Sequence, residues 1–249
     1  MSRRLLPHRR PSRSRRPRRD VERFLAVRTG AGSNVWWRGV AGACGGTPPL
    51  IERSTDAGAT WTDVTPLCRG VTQLAALDTF AQTEAEIVVS VGPTCESQAM
   101  RTFTQGQFWE SYPHVLAASR FVRVTDAGTV KLPSGPAAAP CADARGLRAQ
   151  GDVVALICES TAFVAKEGDW IALPTPDAAA IAIDGVDVIV AHAADGCSGL
   201  ALTRFANADR SKPERSQCAP GLDRTAPTAI TSTDGGASVW SGEALVTVP

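Results

Sequence analysis

The cysteines and histidines are the residues of this sequence that could bind a metal or act as nucleophiles. The seven cysteines are Cys44, Cys68, Cys95, Cys141, Cys158, Cys197 and Cys218, and the two closest are 17 residues apart. Zinc and dithiol redox sites usually place two cysteines two to four residues apart, so neither is predicted. The histidines, His8, His114 and His192, are just as dispersed, which favours structural or solvated roles over a catalytic triad. We therefore predict no metal and no cofactor.

Short β-strands must position whatever chemistry the chain performs. From residue 22 onward, short apolar segments alternate with turns rich in Gly, Asp and Pro, and no 11-residue window shows a helical period. The sequence therefore predicts an all-β protein with no helix longer than two turns. Residues 21–249 are numerous enough to bury a core as a single domain.

The segment from Ile51 to Trp61 organises this strand pattern. It contains Ser54, Asp56, Gly58 and Trp61 in the spacing Ser-x-Asp-x-Gly-x-x-Trp. Asp at a turn accepts hydrogen bonds from the backbone ahead of it, and Gly adopts positive φ without steric cost. Trp folds back over such a hairpin with its apolar surface. We interpret the four residues as structural, with no role in binding substrate.

This motif resembles the Asp-box, or BNR repeat, of sialidase-like β-propellers. A degenerate copy follows at Thr102, Gly106 and Trp109, with Thr104 in place of the aspartate, and its Trp lies 48 residues after Trp61. Weaker echoes are found at residues 125–128, 166–168 and 232–236, and the last also fits an ordinary Asp-Gly hairpin at the first turn of a unit.

Unit starts near residues 24, 73, 116, 147, 179 and 228 predict a β-propeller of five to six small four-stranded blades. We expect closure by pairing of the terminal strands, residues 24–27 and 245–248, within one blade.

The resemblance also implies where an active site would lie. Sialidases place three arginines, a Tyr nucleophile with a Glu partner and an Asp acid/base on the face opposite the boxes. The one tyrosine, Tyr112, follows Glu110 by two residues, but both come directly after Trp109, where an outer strand is expected. We interpret them as edge-strand surface and assign no catalytic residue.

The cysteines fall at the same point of each predicted blade. Each lies either between the second and third strands or after the last strand, and in an up-and-down blade these loops share one face. The sequence thus predicts seven cysteines on the face opposite Asp56. We expect disulfides Cys141–Cys158 and Cys197–Cys218, with Cys68 paired to Cys95 or Cys44 and one of those two left free. Several reduced, buried cysteines are the alternative.

The first 20 residues form a separate, disordered arm by composition, with nine arginines and three prolines. The arm takes nine of 26 basic and one of 25 acidic residues, so the rest of the chain has 17 and 24. A basic arm on an acidic body does not fit a nucleic-acid-binding domain.

No apolar run is long enough to span a membrane, and no export signal follows Met1 as written. The sequence has three lysines and many arginines, which favours a GC-rich bacterial source such as an actinobacterium. In such a source, the scattered cysteines favour an exported protein.

Three functions follow as hypotheses. The first is a non-catalytic, exported or cell-envelope propeller, monomeric, that binds a ligand or partner through its cysteine face. That ligand would be a carbohydrate or another envelope protein, and the adjacent Trp36 and Trp37 would serve either blade packing or carbohydrate stacking. The second is a divergent glycoside hydrolase of the sialidase type. The third is an intracellular scaffold whose arginine arm contacts an anionic polymer or lipid.

Overall fold

The protein is a six-bladed, all-β propeller in a computed structural model that describes residues 21–28, 34–81, 83–234 and 236–249. The predicted arm, residues 1–20, lies outside the described residues. The sheets follow one another along the chain, and each is an antiparallel meander.

Four blades have four strands each, ordered from the channel outward. Blade one contains β1 (Arg23–Val27), β2 (Trp36–Val40), β3 (Leu50–Ser54) and β4 (Thr62–Asp63), and blade two contains β5 (Val71–Thr79), β6 (Ala85–Val91), β7 (Glu96–Arg101) and β8 (Glu110–Ser111). Blade four contains β12 (Arg145–Gln150), β13 (Val153–Cys158), β14 (Thr161–Lys166) and β15 (Asp169–Ala172), and blade five contains β16 (Ala180–Asp184), β17 (Asp187–His192), β18 (Leu200–Phe205) and β19 (Pro213–Ala219).

Blades three and six have three strands each, and the prediction of a propeller of five to six small blades is confirmed. Blade three contains β9 (Phe121–Arg123), β10 (Asp126–Leu132) and β11 (Gly135–Ala138), and blade six contains β20 (Thr228–Thr233), β21 (Gly236–Ser241) and β22 (Ala244–Val248). One six-residue α-helix, α1 (Pro113–Ala118), precedes blade three; it is the only α-helix of the described residues. The prediction of no helix longer than two turns is confirmed for these residues.

The segment at residues 54–61 forms a hairpin turn held by side-chain hydrogen bonds. The Ser54 hydroxyl accepts the Gly58 N–H at 2.8 Å and donates to the Asp56 carboxylate at 2.7 Å. That carboxylate also accepts the Thr60 backbone N–H at 2.8 Å and the Thr60 hydroxyl at 2.6 Å. These hydrogen bonds lower the pKa of Asp56 to about 2. The bond from the Thr60 hydroxyl contributes most, followed by those from the Thr60 N–H and the Ser54 hydroxyl. The Trp61 indole N–H closes the turn on the Gly58 carbonyl at 3.0 Å.

The degenerate copy repeats this geometry with neutral groups. The Thr102 hydroxyl accepts the Gly106 N–H at 2.8 Å, and the Thr104 hydroxyl accepts the Phe108 N–H at 2.8 Å in place of an Asp carboxylate. Trp109 donates to the Val64 carbonyl of blade one at 3.0 Å and packs edge-on against Trp37.

The three weaker copies of the motif lie in different turns of their blades. Residues 166–168 form the β14–β15 turn, equivalent to the two hairpins above, whereas residues 125–128 span the β9–β10 turn at the opposite face. Residues 232–236 join β20 to β21, so the ordinary first-turn hairpin was the right alternative there.

Ring closure differs from the prediction. The strand Phe24–Val27 pairs with β2 inside blade one, and Leu245–Val248 pairs with β21 inside blade six, so the terminal strands do not share a blade. Instead an apolar cluster joins the two blades, with Leu25 and Trp36 packed against Ala229 and Trp240. Trp36 and Trp37 are both buried, so blade packing is the correct interpretation of this pair and carbohydrate stacking is not.

Three disulfides close loops on the face opposite Asp56. Cys141–Cys158 and Cys197–Cys218, with Cα atoms 5.8 and 5.6 Å apart, confirm the two predicted pairs. The third pair is wrong in the prediction: Cys44 bonds to Cys95, Cα atoms 5.9 Å apart, and Cys68 is the free, exposed cysteine. The physical reason is local. The Gln73 side chain accepts the Cys44 N–H, and the Gly92 N–H bonds to the Gly70 carbonyl, which draws the two loops together beside Cys68.

The first prediction concerns thiol reactivity. Native, unreduced protein should incorporate one equivalent of a thiol label, at Cys68, and peptide mapping should recover Cys44 joined to Cys95. Cys68→Ser should remove the labelling. Because the Cys44–Cys95 bridge closes a loop of about 50 residues, losing it should cost about 4 kcal/mol on a chain-entropy estimate. Labelling at Cys44 or Cys95 of the native protein would contradict the assignment.

The second prediction compares the two hairpin tryptophans. Trp109 is buried between blades one and two, whereas Trp61 is half-buried because blade six lacks a fourth strand to cover it. Trp109→Ala should lower the free energy of unfolding by about 3–5 kcal/mol, and Trp61→Ala by roughly half as much. Chemical denaturation of both variants measures this, and an equal loss, or a larger loss for Trp61→Ala, would contradict it.

Candidate functional site

Blade three lacks the inner strand that its neighbours have. Asn34 of the β1–β2 connection accepts the Ala57 N–H at 3.0 Å, so the first-strand turns and Asp56 share one face, which we call the box face. The opposite face, which carries the bridges, is the cysteine face. β1, β5, β12, β16 and β20 all run from the cysteine face to the box face. β9 runs the other way: its turn to β10 lies beside Cys141 and Ala142, next to the loop that enters β12.

Helix α1 takes the place of the missing strand. The chain leaves β8 on the outside of blade two, and α1 packs Val115 against Val88, Ala99 and Phe121. Residues 118–120 then reach the central channel before β9 begins. The proline at the first position of α1 fits a helix start and ends the strand geometry there.

This substitution leaves a cavity of about 500 Å³ in the channel. Its wall is formed by the box-face ends of the inner strands, by the start of β6 and by the end of α1. Its charged lining residues are Arg28, Asp78, Glu86, Arg120 and Arg148.

The blade-two wall carries a row of charged side chains. Asp78 on β5 is opposite Glu86 on β6, which is opposite Arg101 on β7. The guanidinium of Arg101 donates two hydrogen bonds to Glu86, at 2.9 and 2.6 Å, and so forms an ion pair with it. Asp78 has no such partner: no hydrogen bond or ion pair joins it to another described residue within 4 Å.

Asp78 is the most perturbed acid of this wall. Its side chain is exposed to solvent within the cavity, near the box-face end of β5, although many protein atoms lie around its carboxyl. Burial raises the pKa of Asp78 to about 6, the charge of Glu86 raises it further, and Arg148 opposes both.

Arg148 and Glu22 close the cysteine-face end of the channel. The Arg148 guanidinium donates to the carbonyls of Leu147 and Arg23 at 2.8 and 3.1 Å, and lies 4.0 Å from the Glu22 carboxylate. Glu22 also accepts the Gly146 N–H at 2.9 Å. Burial raises the pKa of Glu22 above its ordinary value, and the charge of Arg148 offsets only part of this rise. Two smaller pockets lie on this side, of about 20 and 100 Å³, whereas the larger cavity is lined by the box-face ends of the inner strands.

Aromatic side chains flank the charged row on blade two. Phe80, Phe103, Tyr112 and His114 stack in sequence with ring centroids 5.3–6.0 Å apart, and the Arg101 guanidinium lies 4.6 Å from the Phe80 ring. Phe103 is 58% exposed and the nearby Phe108 is 70% exposed. Tyr112 is therefore part of an outer aromatic stack, and Glu110 is exposed on β8, outside the cavity.

The remaining predicted residues are structural. The buried His192 ring lies 2.7 Å from the Ala193 carbonyl and 2.8 Å from the Thr203 hydroxyl, and burial lowers its pKa. In the described part of the chain, no three His, Cys, Asp or Glu side chains form a group that could hold a metal. No helix among those residues is long and apolar enough to cross a membrane.

Comparison with protein-family models and with curated protein sequences finds no match. Among solved structures the chain resembles other β-propellers. A triple-arginine mutant of AofleA from Arthrobotrys oligospora aligns over 92% of this chain and 87% of that one, with a TM-score of 0.50 and 11% identity. YCF48 bound to a D1 peptide aligns over 89% and 76%, with a TM-score of 0.45 and 13% identity. The sialidase Hz136 aligns over 87% of this chain and 49% of its own length, with a TM-score of 0.40 and 9% identity. Identities this low concern the fold alone.

The third prediction follows from the raised pKa of Asp78. Its folded pKa of about 6 exceeds the ordinary value of 3.8, so the folded state binds the proton more tightly between these values. Stability contributed by protonated Asp78 is therefore lost as pH rises through this range. Asp78→Asn should be more stable than the wild type at pH 7.5, by about 1 kcal/mol after allowance for solvation in the cavity.

The stability advantage of Asp78→Asn should disappear near pH 4, because the side chain at position 78 is then neutral in the folded wild type as well as in the variant. Urea denaturation at the two pH values measures the difference, and Asp143→Asn, on an exposed loop residue, is the matched control. An Asp78→Asn variant less stable than the wild type at pH 7.5 would contradict the account.

Proposed function

We propose that this chain is a non-catalytic, extracytoplasmic binding propeller whose ligand enters the box-face cavity. The cavity itself is the observation that carries the proposal. It measures about 500 Å³, within the usual range of small-molecule sites, and is lined by five charged side chains as well as apolar ones. The sequence led us to expect a ligand at the cysteine face, but the channel is closed there by Glu22 and Arg148.

Three disulfides support a place outside the cytoplasm, because such bonds persist in oxidising compartments. An envelope protein or a carbohydrate remains the partner class proposed from the sequence. The exposed Phe103 and Phe108, in the outer β7–β8 hairpin of blade two, provide apolar surface for either one.

A glycoside hydrolase is the second candidate, and Asp78 is the observation in its favour. A carboxyl with a pKa of about 6 has the character of a general acid. The neighbouring carboxylate, Glu86, is held by two bonds from Arg101, which disfavours a nucleophile or base. Tyr112 lies outside the cavity as well. Release of the aryl group from aryl sialosides or glycosides by the wild type, lost in Asp78→Asn, would replace our proposal with this one.

An intracellular scaffold with an anion-binding arm is the third hypothesis. Seven titratable thiols in protein taken from the native host would favour it over export.

The fourth prediction tests the cavity as a binding site. In a thermal-shift screen of a small-metabolite library, some compounds should stabilise the wild type, by about 2.7 kcal/mol at 100 times the dissociation constant. The same compounds should fail to stabilise Ala118→Phe, which places a ring in the cavity wall. Ala117→Phe, on the exposed neighbouring residue of α1, is the matched control and should behave as the wild type. Absence of any compound that distinguishes the two variants would overturn the proposal.

A further inference from the structure

Two charged side chains of the cavity have no partner among the described residues, and they have opposite signs. They are Asp78 on the blade-two wall and Arg120 at the end of α1. Neither forms a hydrogen bond or an ion pair within 4 Å to any residue in the described ranges. Both line the same cavity.

The other charged groups of the cavity are occupied. Glu86 accepts both bonds from Arg101, and Arg148 donates to two carbonyls beside Glu22. Arg28 donates to the Phe80 carbonyl at 2.8 Å. Within the described ranges, Asp78 and Arg120 are therefore the charged groups of the cavity with hydrogen-bonding capacity left for a ligand.

The two charges lie on different elements of the cavity wall. Asp78 is near the box-face end of β5, and Arg120 follows α1. Charge complementarity favours a ligand that carries one cationic and one anionic group.

We propose that the cavity binds a small zwitterion, an amino acid or short peptide, with its ammonium group at Asp78 and its carboxylate at Arg120. A guanidinium binds a carboxylate through two parallel hydrogen bonds, and an ammonium donates up to three bonds to a carboxylate and its neighbours. The volume of about 500 Å³ accommodates more than a single amino acid. A neutral carbohydrate would leave both charges unpaired, at a cost in binding free energy.

This inference rests on the proposed function, since it assigns a ligand class to the same cavity. It adds the claim that affinity requires both charges of the ligand at once. Each charge can be removed separately, from the ligand by N-acetylation or amidation and from the protein by substitution.

The test is calorimetric titration of the full chain at pH 7.5 with glycine, diglycine, triglycine and tetraglycine. For at least one length, the N-acetyl form and the amide form should each bind at least tenfold more weakly than the zwitterion. Asp78→Asn should abolish the discrimination against the N-acetyl form, and Arg120→Gln that against the amide form. Asp143→Asn and Arg123→Gln, on exposed residues at the cysteine face, should retain both.

Lowering the pH to 5 should weaken binding of the zwitterion, because Asp78 is then protonated, and leave the N-acetyl form unaffected. Equal affinity of a zwitterion and its singly charged analogues, or no binding of any length, would overturn the inference. Compounds that bind the wild type and not Ala118→Phe would still uphold the proposed function, so the two failures are distinguishable.

Discussion

The fold depends on the packing of inner strands around the channel. Each inner strand contacts the inner strands of neighbouring blades and so supplies one segment of the channel wall. Five blades provide a strand that runs from the cysteine face to the box face. Blade three provides α1 and the short, reversed β9 instead, and these occupy less of the box-face end. The cavity and the positions of Asp78 and Arg120 in its wall all follow from this one departure from the repeat.

The two ends of the channel differ for the same reason. At the cysteine face the inner strands begin side by side, and Glu22, Gly146 and Arg148 satisfy one another across β1 and β12. At the box face the wall between blades two and four is a helix end rather than a strand. Charged groups there face water and each other across open space, which suits a binding site better than a packed core.

Local motifs in the sequence were sufficient to predict the architecture. The residues around Asp56 and Thr104 set the position of two hairpins, and the spacing between them set the size of a blade. The same repeat placed Cys141 near Cys158 and Cys197 near Cys218. Cys44 was paired wrongly because its contact with Cys95 depends on how the Gln73 side chain and the 92–95 loop meet, which repeat spacing does not encode. Closure was mispredicted because packing of Trp36 on Trp240 replaces strand pairing.

The site was not predicted, because its residues belong to separate strands and share no motif. Asp78 and Arg148 are 70 positions apart, and Arg120 lies in a segment assigned to an ordinary blade. Two local signals were present. Asp78 is an acid near the end of an apolar inner strand, and Pro113 followed by Val115 and Leu116 favours a helix turn where a strand was expected.

The charged cavity is the central claim, and titration of the Asp78 side chain tests it most directly. The carboxyl ¹³C signal of Asp78, assigned by comparison with Asp78→Asn, can be followed by NMR from pH 3 to 8 in the unliganded protein. The structure predicts a midpoint of about 6. A midpoint near the ordinary value of 3.8 would show a freely solvated carboxyl and contradict the account.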